Sequence, residues 1–199
     1  MAKLERAAVV EEALDLLDEV GLDAVSTRAL ARRLGVEQPS LYWHFRNKQE
    51  LLAAMAASAL TDHGTQPLPD DGAQWGTWFL DNFRSFRQAL LGRRDGARLH
   101  AGTTPAGETR VRLMAKLRFL VDAGVPEDAA VAGMLAASRF TVGSALEQQA
   151  DPDGDIPVDT ADGPAVPTHS EAFEAGLRFL LVGLEQAVAA AGQRTRLLP

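Results

Sequence analysis

The chain has 199 residues, 27 acids against 20 bases, a formal net charge of -7 and no cysteine. With 46% apolar and 24% charged residues it reads as one large or two small soluble globular domains, not as a disordered chain. Missing cysteine excludes a disulfide framework, a thiolate metal site and a cysteine nucleophile. No uncharged apolar run reaches the roughly 18 to 20 residues of a membrane span, and the first residues lack a signal peptide's apolar stretch, so a cytoplasmic protein with no membrane partner is expected.

An acidic total also argues against nucleic acid, unless the charge is unevenly spread. It is unevenly spread. Residues 5–23 carry seven acids and one base, whereas residues 26–48 carry Arg28, Arg32, Arg33, Arg46 and Lys48 against Glu37, a net charge of +4.

The first element is an amphipathic helix through Ala7, Ala8, Ala13, Leu14, Leu17 and Val20, stopped by Gly21. Its acids should pack away from any phosphate. Ser26 predicts the cap of a second, short helix with Ala29, Leu30 and Leu34 inward, broken at Gly35. A third helix begins near Gln38, with Pro39 suited to the first helical position and Leu41 and Phe45 facing the second helix. This leaves Gln38, Tyr42, Trp43 and His44 mostly outside. Asn47 predicts the cap of a fourth helix, which serves as a connector over residues 48–64 between residues 1–47 and a helical half over 65–199. In that half, periodicity predicts helices from about Gln74 to Leu91, Asp95 to His100, Glu108 to Ala123, Glu127 to Gln148 and His169 to Ala191. Residues 151–168, with four prolines, five Asp and no Lys or Arg, predict an acidic loop.

Two short helices about a Gly35 turn, the second presenting polar and aromatic residues, form the pattern of a helix-turn-helix. Its second helix suits the major groove, where Gln pairs with adenine and Arg with guanine. The run from Ser26 to Lys48, and within it Leu-Gly-Val-Glu-Gln-Pro-Ser-Leu-Tyr-Trp-His over residues 34–44, resembles the TetR family of bacterial one-component repressors. The resemblance continues through Ser85 to Leu91, Arg94 to His100, Phe140 to Gly143, Leu146-Glu147 and Gly183 to Glu185.

That resemblance implies an all-α fold: an N-terminal three-helix helix-turn-helix domain and a C-terminal helical ligand-binding and dimerisation domain. It implies a homodimeric repressor on double-stranded, palindromic operator DNA, released when a small-molecule inducer binds. Arg28 and Gln38 become the base readers, with Pro39, Tyr42, Trp43 and His44 shaping the fit. Thr27, Ser40, Tyr42 and Lys48 become backbone contacts, which set register. Alternatives stand beside these roles: Tyr42 and Trp43 as a small aromatic core, His44 as a structural hydrogen bond, and Arg32 and Arg33 as a solvated face. Gly176 and Gly183 on the last helix, with Gly133 and Ala137 on the preceding one, suit a close approach to a partner protomer or packing within one chain.

In tetracycline-binding members of the family a magnesium-bound drug moves the fourth helix. The matching positions are Asn82, Phe86, His100, Thr103, Pro105 and Glu147, of which His100 could ligate a metal and Glu147 could hold a metal-bound water from the other subunit. His100 could instead cap its short helix, and Glu147 lie on a solvated face. Four departures stand out: Gly64, Lys116 and Arg139 replace histidine, glutamine and histidine, and Thr104 replaces an arginine. Two added cations at about 6 to 8 Å from a divalent ion oppose it by a few kcal/mol. A cavity with Asn82, His100, Lys116 and Arg139 therefore suits a planar polyketide-like or aromatic ligand with acidic oxygens. No cofactor is required, and magnesium enters only if the inducer is a tetracycline chelate. The competing readings are a DNA-bound architectural protein without a ligand, and an enzyme. The latter lacks a His-Glu-x-x-His pair, a Gly-x-Ser-x-Gly elbow and a phosphate-cradling loop.

Overall fold

The computed structural model describes residues 5–64, 66–104, 106–151 and 166–196. Helix α1 (Arg6–Val20) ends at Gly21, whose φ of +78° suits a residue without a Cβ and whose N–H reaches the Leu17 carbonyl at 2.8 Å. A 3₁₀ turn over Leu22–Ala24 leads to α2 (Thr27–Arg33). Ser26 Oγ accepts from the Ala29 amide at 3.1 Å, which is the expected cap. The short α3 (Gln38–Tyr42) has Pro39 as its second residue, one place beyond the expected first, where a missing backbone donor is still harmless.

Asn47 Oδ1 accepts from the Glu50 amide at 2.8 Å and so caps α4 (Lys48–Ala59). The expected single helix to residue 64 is interrupted at Leu60, after which one turn forms α5 (Thr61–Gly64). The C-terminal half contains α6 (Trp75–Leu91), α7 (Gly96–Ala101), α8 (Gly107–Asp122), α9 (Glu127–Ala150) and α10 (His169–Arg196). All five lie where the periodicity places them, with α10 extending further than Ala191. Of the expected acidic loop, residues 152–165 lie outside the described residues.

Packing divides the molecule differently from the expected boundary at residue 47. One core joins Leu14 and Leu17 of α1, Leu30 of α2, Leu41 and Phe45 at α3, and Leu51 and Met55 of α4. Leu99 of α7 belongs to this same core, so the regulatory half inserts a side chain into the N-terminal head. Helix α4 is therefore part of the head rather than a tether. A second core is built around Phe79, Phe83, Leu120, Ala137, Phe173 and Leu177.

The acidic face of α1 is spent on internal contacts. Arg93 Nη1 donates to Asp18 at 2.6 Å, the Arg94 amide donates to the same carboxylate at 2.9 Å, and the Leu22 amide donates to Asp95 at 2.8 Å. That last bond holds the Asp95 carboxyl below its ordinary range. Arg33 lies on the exposed face expected of it and pairs there with Glu12 and Glu19, tying α2 to α1. The acids of α1 thus pair in two directions, Glu12 and Glu19 with α2 and Glu11, Asp15 and Asp18 with Arg93 of the regulatory half.

Two of the glycines expected at a partner interface serve the α9–α10 contact within the chain. A Cβ on Gly176 would lie 2.4 Å from the Phe140 ring, and one on Gly133 would lie 2.5 Å from the Leu184 side chain. Gly183 meets nothing within 4 Å, and Phe179 and Val182 near it on α10 remain exposed, as does Leu135 on α9. By length and composition α9 and α10 would each suffice to cross a membrane. Ala130, Met134, Ala137 and Ala145 of α9 and Phe173, Leu177 and Leu184 of α10 are instead core residues.

Candidate functional site

Two sites emerge from this scaffold. In the head, the buried pair Leu41 and Phe45 turns the remaining face of α3 outward, leaving Tyr42 half exposed and Trp43 90% exposed. An aromatic core for these two rings is thereby excluded. Gln38 Nε2 donates to Thr27 Oγ1 at 2.9 Å and to the Tyr42 hydroxyl at 3.4 Å, so the amide is held with its carbonyl open and the proton on the longer bond the easier to redirect. A held amide offering one donor and one acceptor is what a bidentate contact to adenine needs.

Arg28 is exposed and enters no ion pair among the described residues, in contrast to Arg33. Pro39 and Lys48 are exposed too, and Ser40 is half-buried. His44 is half-buried with its ring 6.5 Å from that of Phe45. No hydrogen bond to the His44 ring occurs among the described residues, so its expected structural bond is not seen. Arg6 stacks over the outer side of Phe45 at 4.7 Å.

The second site is a cavity of about 150 Å³ between α4–α5 and α6 to α9. It gathers Asn82, Phe86, His100 and Lys116 from the sequence-predicted set. Phe86 forms a wall flanked by two imidazoles, His63 at 5.2 Å and His100 at 5.1 Å between ring centroids. Burial lowers the pKa of His100, and burial, then Lys116, then His100 push that of His63 down to about 3. Both rings are neutral at pH 7. Lys116 Nζ donates to His63 Nε2 at 3.2 Å, which leaves Nδ1–H of His63 to donate to Ser85 Oγ at 3.3 Å. Burial, with Arg112 adding to it, lowers the Lys116 pKa to about 8, so the ammonium is still charged at neutral pH.

Several expected members are elsewhere. Arg139 is exposed on α9 and does not line the cavity; Arg112 on α8 does, one helical turn before Lys116. Glu147, expected to act from the other subunit, is exposed on α9. Thr103 closes the end of α7, its hydroxyl donating to the His100 carbonyl at 2.9 Å, so the cap expected of His100 falls to its neighbour. Thr104 is exposed, and Pro105 lies outside the described residues.

His63 was hidden by the departure noted at Gly64, since the histidine entering the cavity stands one position earlier. The signal was its adjacency. Gly64 itself makes room for Arg112, whose Nη1 would lie 2.9 Å from a Cβ placed there. The four-residue spacing of Arg112 and Lys116 on an amphipathic helix was the sign that both reach one side.

A divalent ion does not fit this donor set. His100 is joined in the cavity by a second neutral imidazole that Lys116 occupies, and the unpaired Lys116 ammonium faces the same space. Among the described residues no group of three His, Asp or Glu converges anywhere.

Comparison with known proteins agrees with both halves. Residues 9–55 match the model of the bacterial regulatory proteins of the tetR family, and residues 68–160 match that of the tetracyclin repressor-like C-terminal domain. The class C tetracycline repressor protein of Escherichia coli is 51% identical over 150 residues, covering 75% of this chain and 68% of the relative. A TetR-family transcriptional regulator of Streptomyces coelicolor is 54% identical with a TM-score of 0.70, covering 93% of this chain and 97% of the other. The class A repressor in complex with 5a,6-anhydrotetracycline and magnesium is 41% identical with a TM-score of 0.75, covering 92% of this chain and 99% of the other. The relatives are regulators rather than enzymes. The chain belongs to the TetR family, as a helix-turn-helix repressor that binds operator DNA as a homodimer and responds to a small-molecule ligand.

Proposed function

We propose that this cytoplasmic repressor is released from its operator by a planar polyketide-like or aromatic compound, of the tetracycline type in shape, bound in the cavity around Phe86. The observation that carries this is a continuity: His63 on α5 lines the cavity, and α4, one residue upstream of α5, supplies Leu51 and Met55 to the core of the DNA-reading head. A ligand that displaces His63 acts on α4 and thereby on the spacing of two α3 helices in the dimer. Differential affinity for the two spacings is all that release requires. A filled core would have favoured an architectural protein; the cavity and the polar groups facing it favour a ligand.

In this reading Arg28 and Gln38 read bases, Thr27, Ser40, Tyr42 and Lys48 set register, and Pro39, Trp43 and His44 shape the fit. The exposed Leu135, Phe179 and Val182 with Gly183 offer the α9–α10 face for a partner protomer.

The test is operator release followed by fluorescence anisotropy with tetracycline, minocycline and 5a,6-anhydrotetracycline, each with and without magnesium. Release by at least one compound is expected, and Phe86→Ala should abolish release while leaving operator binding intact. Failure of all three to release operator or to shift the melting temperature would overturn this ligand class.

A further inference from the structure

We propose that the cavity recognises its inducer as an anion held directly by the protein, with Lys116 as the charge partner and Asn82 as a second hydrogen-bonding group, instead of as a divalent-metal chelate. The inference rests on the cavity being the inducer site and adds the chemical class of what enters it.

Three observations converge. Lys116 is only 9% exposed, and its ammonium meets a neutral imidazole nitrogen rather than a carboxylate; it enters no ion pair among the described residues. A buried cation without an anion is costly, and it is retained most readily where a ligand supplies the missing charge. Asn82 is 5% exposed, lines the same cavity, and its amide has no hydrogen-bond partner among the described residues. Polar side chains buried to that degree are nearly always paired, so an unpaired amide facing a cavity indicates a group still to come. Arg112 completes the set: it reaches the cavity over Gly64 and pairs with Glu108 one turn away, so that pair adds little net charge while the guanidinium keeps further donors.

The ligand that fits carries one acidic oxygen, as a carboxylate, phenolate or ionised enol, on a flat ring system that can lie against Phe86. Lys116 has three donor protons and gives one to His63, leaving two for an anionic oxygen. The His63–Ser85 bond holds the imidazole in the tautomer that accepts from Lys116, so the ammonium is positioned before the ligand arrives.

The test uses a matched pair of fluorescent probes, 9-anthracenecarboxylate and its neutral amide, titrated into the full-length dimer at pH 7 in EDTA and again with magnesium. The carboxylate should bind at least about tenfold more tightly than the amide, equivalent to about 1.4 kcal/mol. Magnesium should not strengthen it, and the preference should vanish in Lys116→Met and Lys116→Gln with melting temperatures showing both folded. Equal binding of the two probes, a carboxylate preference that survives both substitutions, or carboxylate binding only with magnesium would each overturn the anion assignment while leaving the cavity as the inducer site. Binding of neither probe to folded protein would instead overturn the cavity itself as an aromatic-ligand site, and the inference with it.

Discussion

The DNA-reading face and the regulatory cavity use polar residues in opposite ways. On α3 the functional side chains are exposed, close in sequence and individually cheap to present; Trp43 stands almost wholly in solvent and Gln38 is steadied by Thr27 and Tyr42. In the cavity they are buried, come from several helices, and carry unbalanced chemistry: among the described residues, a lysine without a carboxylate and an asparagine without a hydrogen-bond partner. The first site waits for a partner rich in charge and needs only local order. The second stores an electrostatic deficit that a ligand can relieve, which is a source of differential binding. Between them lies a clasp in which Asp18 and Asp95 join α1 and its following turn to the α6–α7 turn.

The most severe way to break the separation of the two regions is at Leu99, which belongs to the regulatory half by sequence and to the head by packing. Leu99→Ala should destabilise the protein by about 2–5 kcal/mol, the range for a buried leucine leaving a cavity. Urea unfolding measures it. If the head were an independent unit the cost would fall near zero.

A smaller effect concerns the buried imidazole. His63 stays neutral in the folded protein down to about pH 3, whereas the unfolded chain takes up its proton near 6.5. Its contribution is therefore complete above pH 6.5 and is lost as pH falls toward 3. Lys116, His100 and Ser85 face this ring, and the first two oppose its protonation. Between pH 7 and 4.5 the wild type should lose about 2 kcal/mol more than His63→Gln in paired melts. Identical losses would show that the ring is not shielded as the cavity geometry indicates.

The same contrast explains what was legible in the sequence. Caps such as Ser26 and Asn47, the inward pair Leu41 and Phe45, and the five C-terminal helices depend on near neighbours, and periodicity reads near neighbours. Residues 34–44 carry so specific a pattern that resemblance identifies the family. The cavity depends on where helices distant in sequence place their side chains. Thus His63 was displaced by a single position in favour of Gly64, and Arg139 was expected where Arg112 stands. The second shift preserves the sign of the charge argument, because one cation replaces another. Gly133 and Gly176 show a different limit: spacing reveals that a helix approaches closely, and only the fold reveals that it is α10 of the same chain against α9.

The DNA face can be sharpened residue by residue. Arg28→Ala and Gln38→Ala should each reduce discrimination between operator and random DNA by about 1–3 kcal/mol, the range for a bidentate base contact. The Gln38→Ala loss carries a further signature: Thr27 loses the amide it steadies, so Thr27→Ala in the same background should cost nothing more in discrimination. Lys48→Ala should have the mildest effect on specificity, because the role proposed for this exposed first residue of α4 is a phosphate contact and not a base contact. It should weaken operator and random DNA alike and lower the salt slope by about 1, since one fewer counterion is released. Anisotropy titrations across a salt series separate the two kinds of residue: readers change the ratio of affinities, and Lys48 changes the slope. A Lys48→Ala variant that lost operator discrimination would move that lysine into the reading set, and an unchanged slope would remove it from the interface.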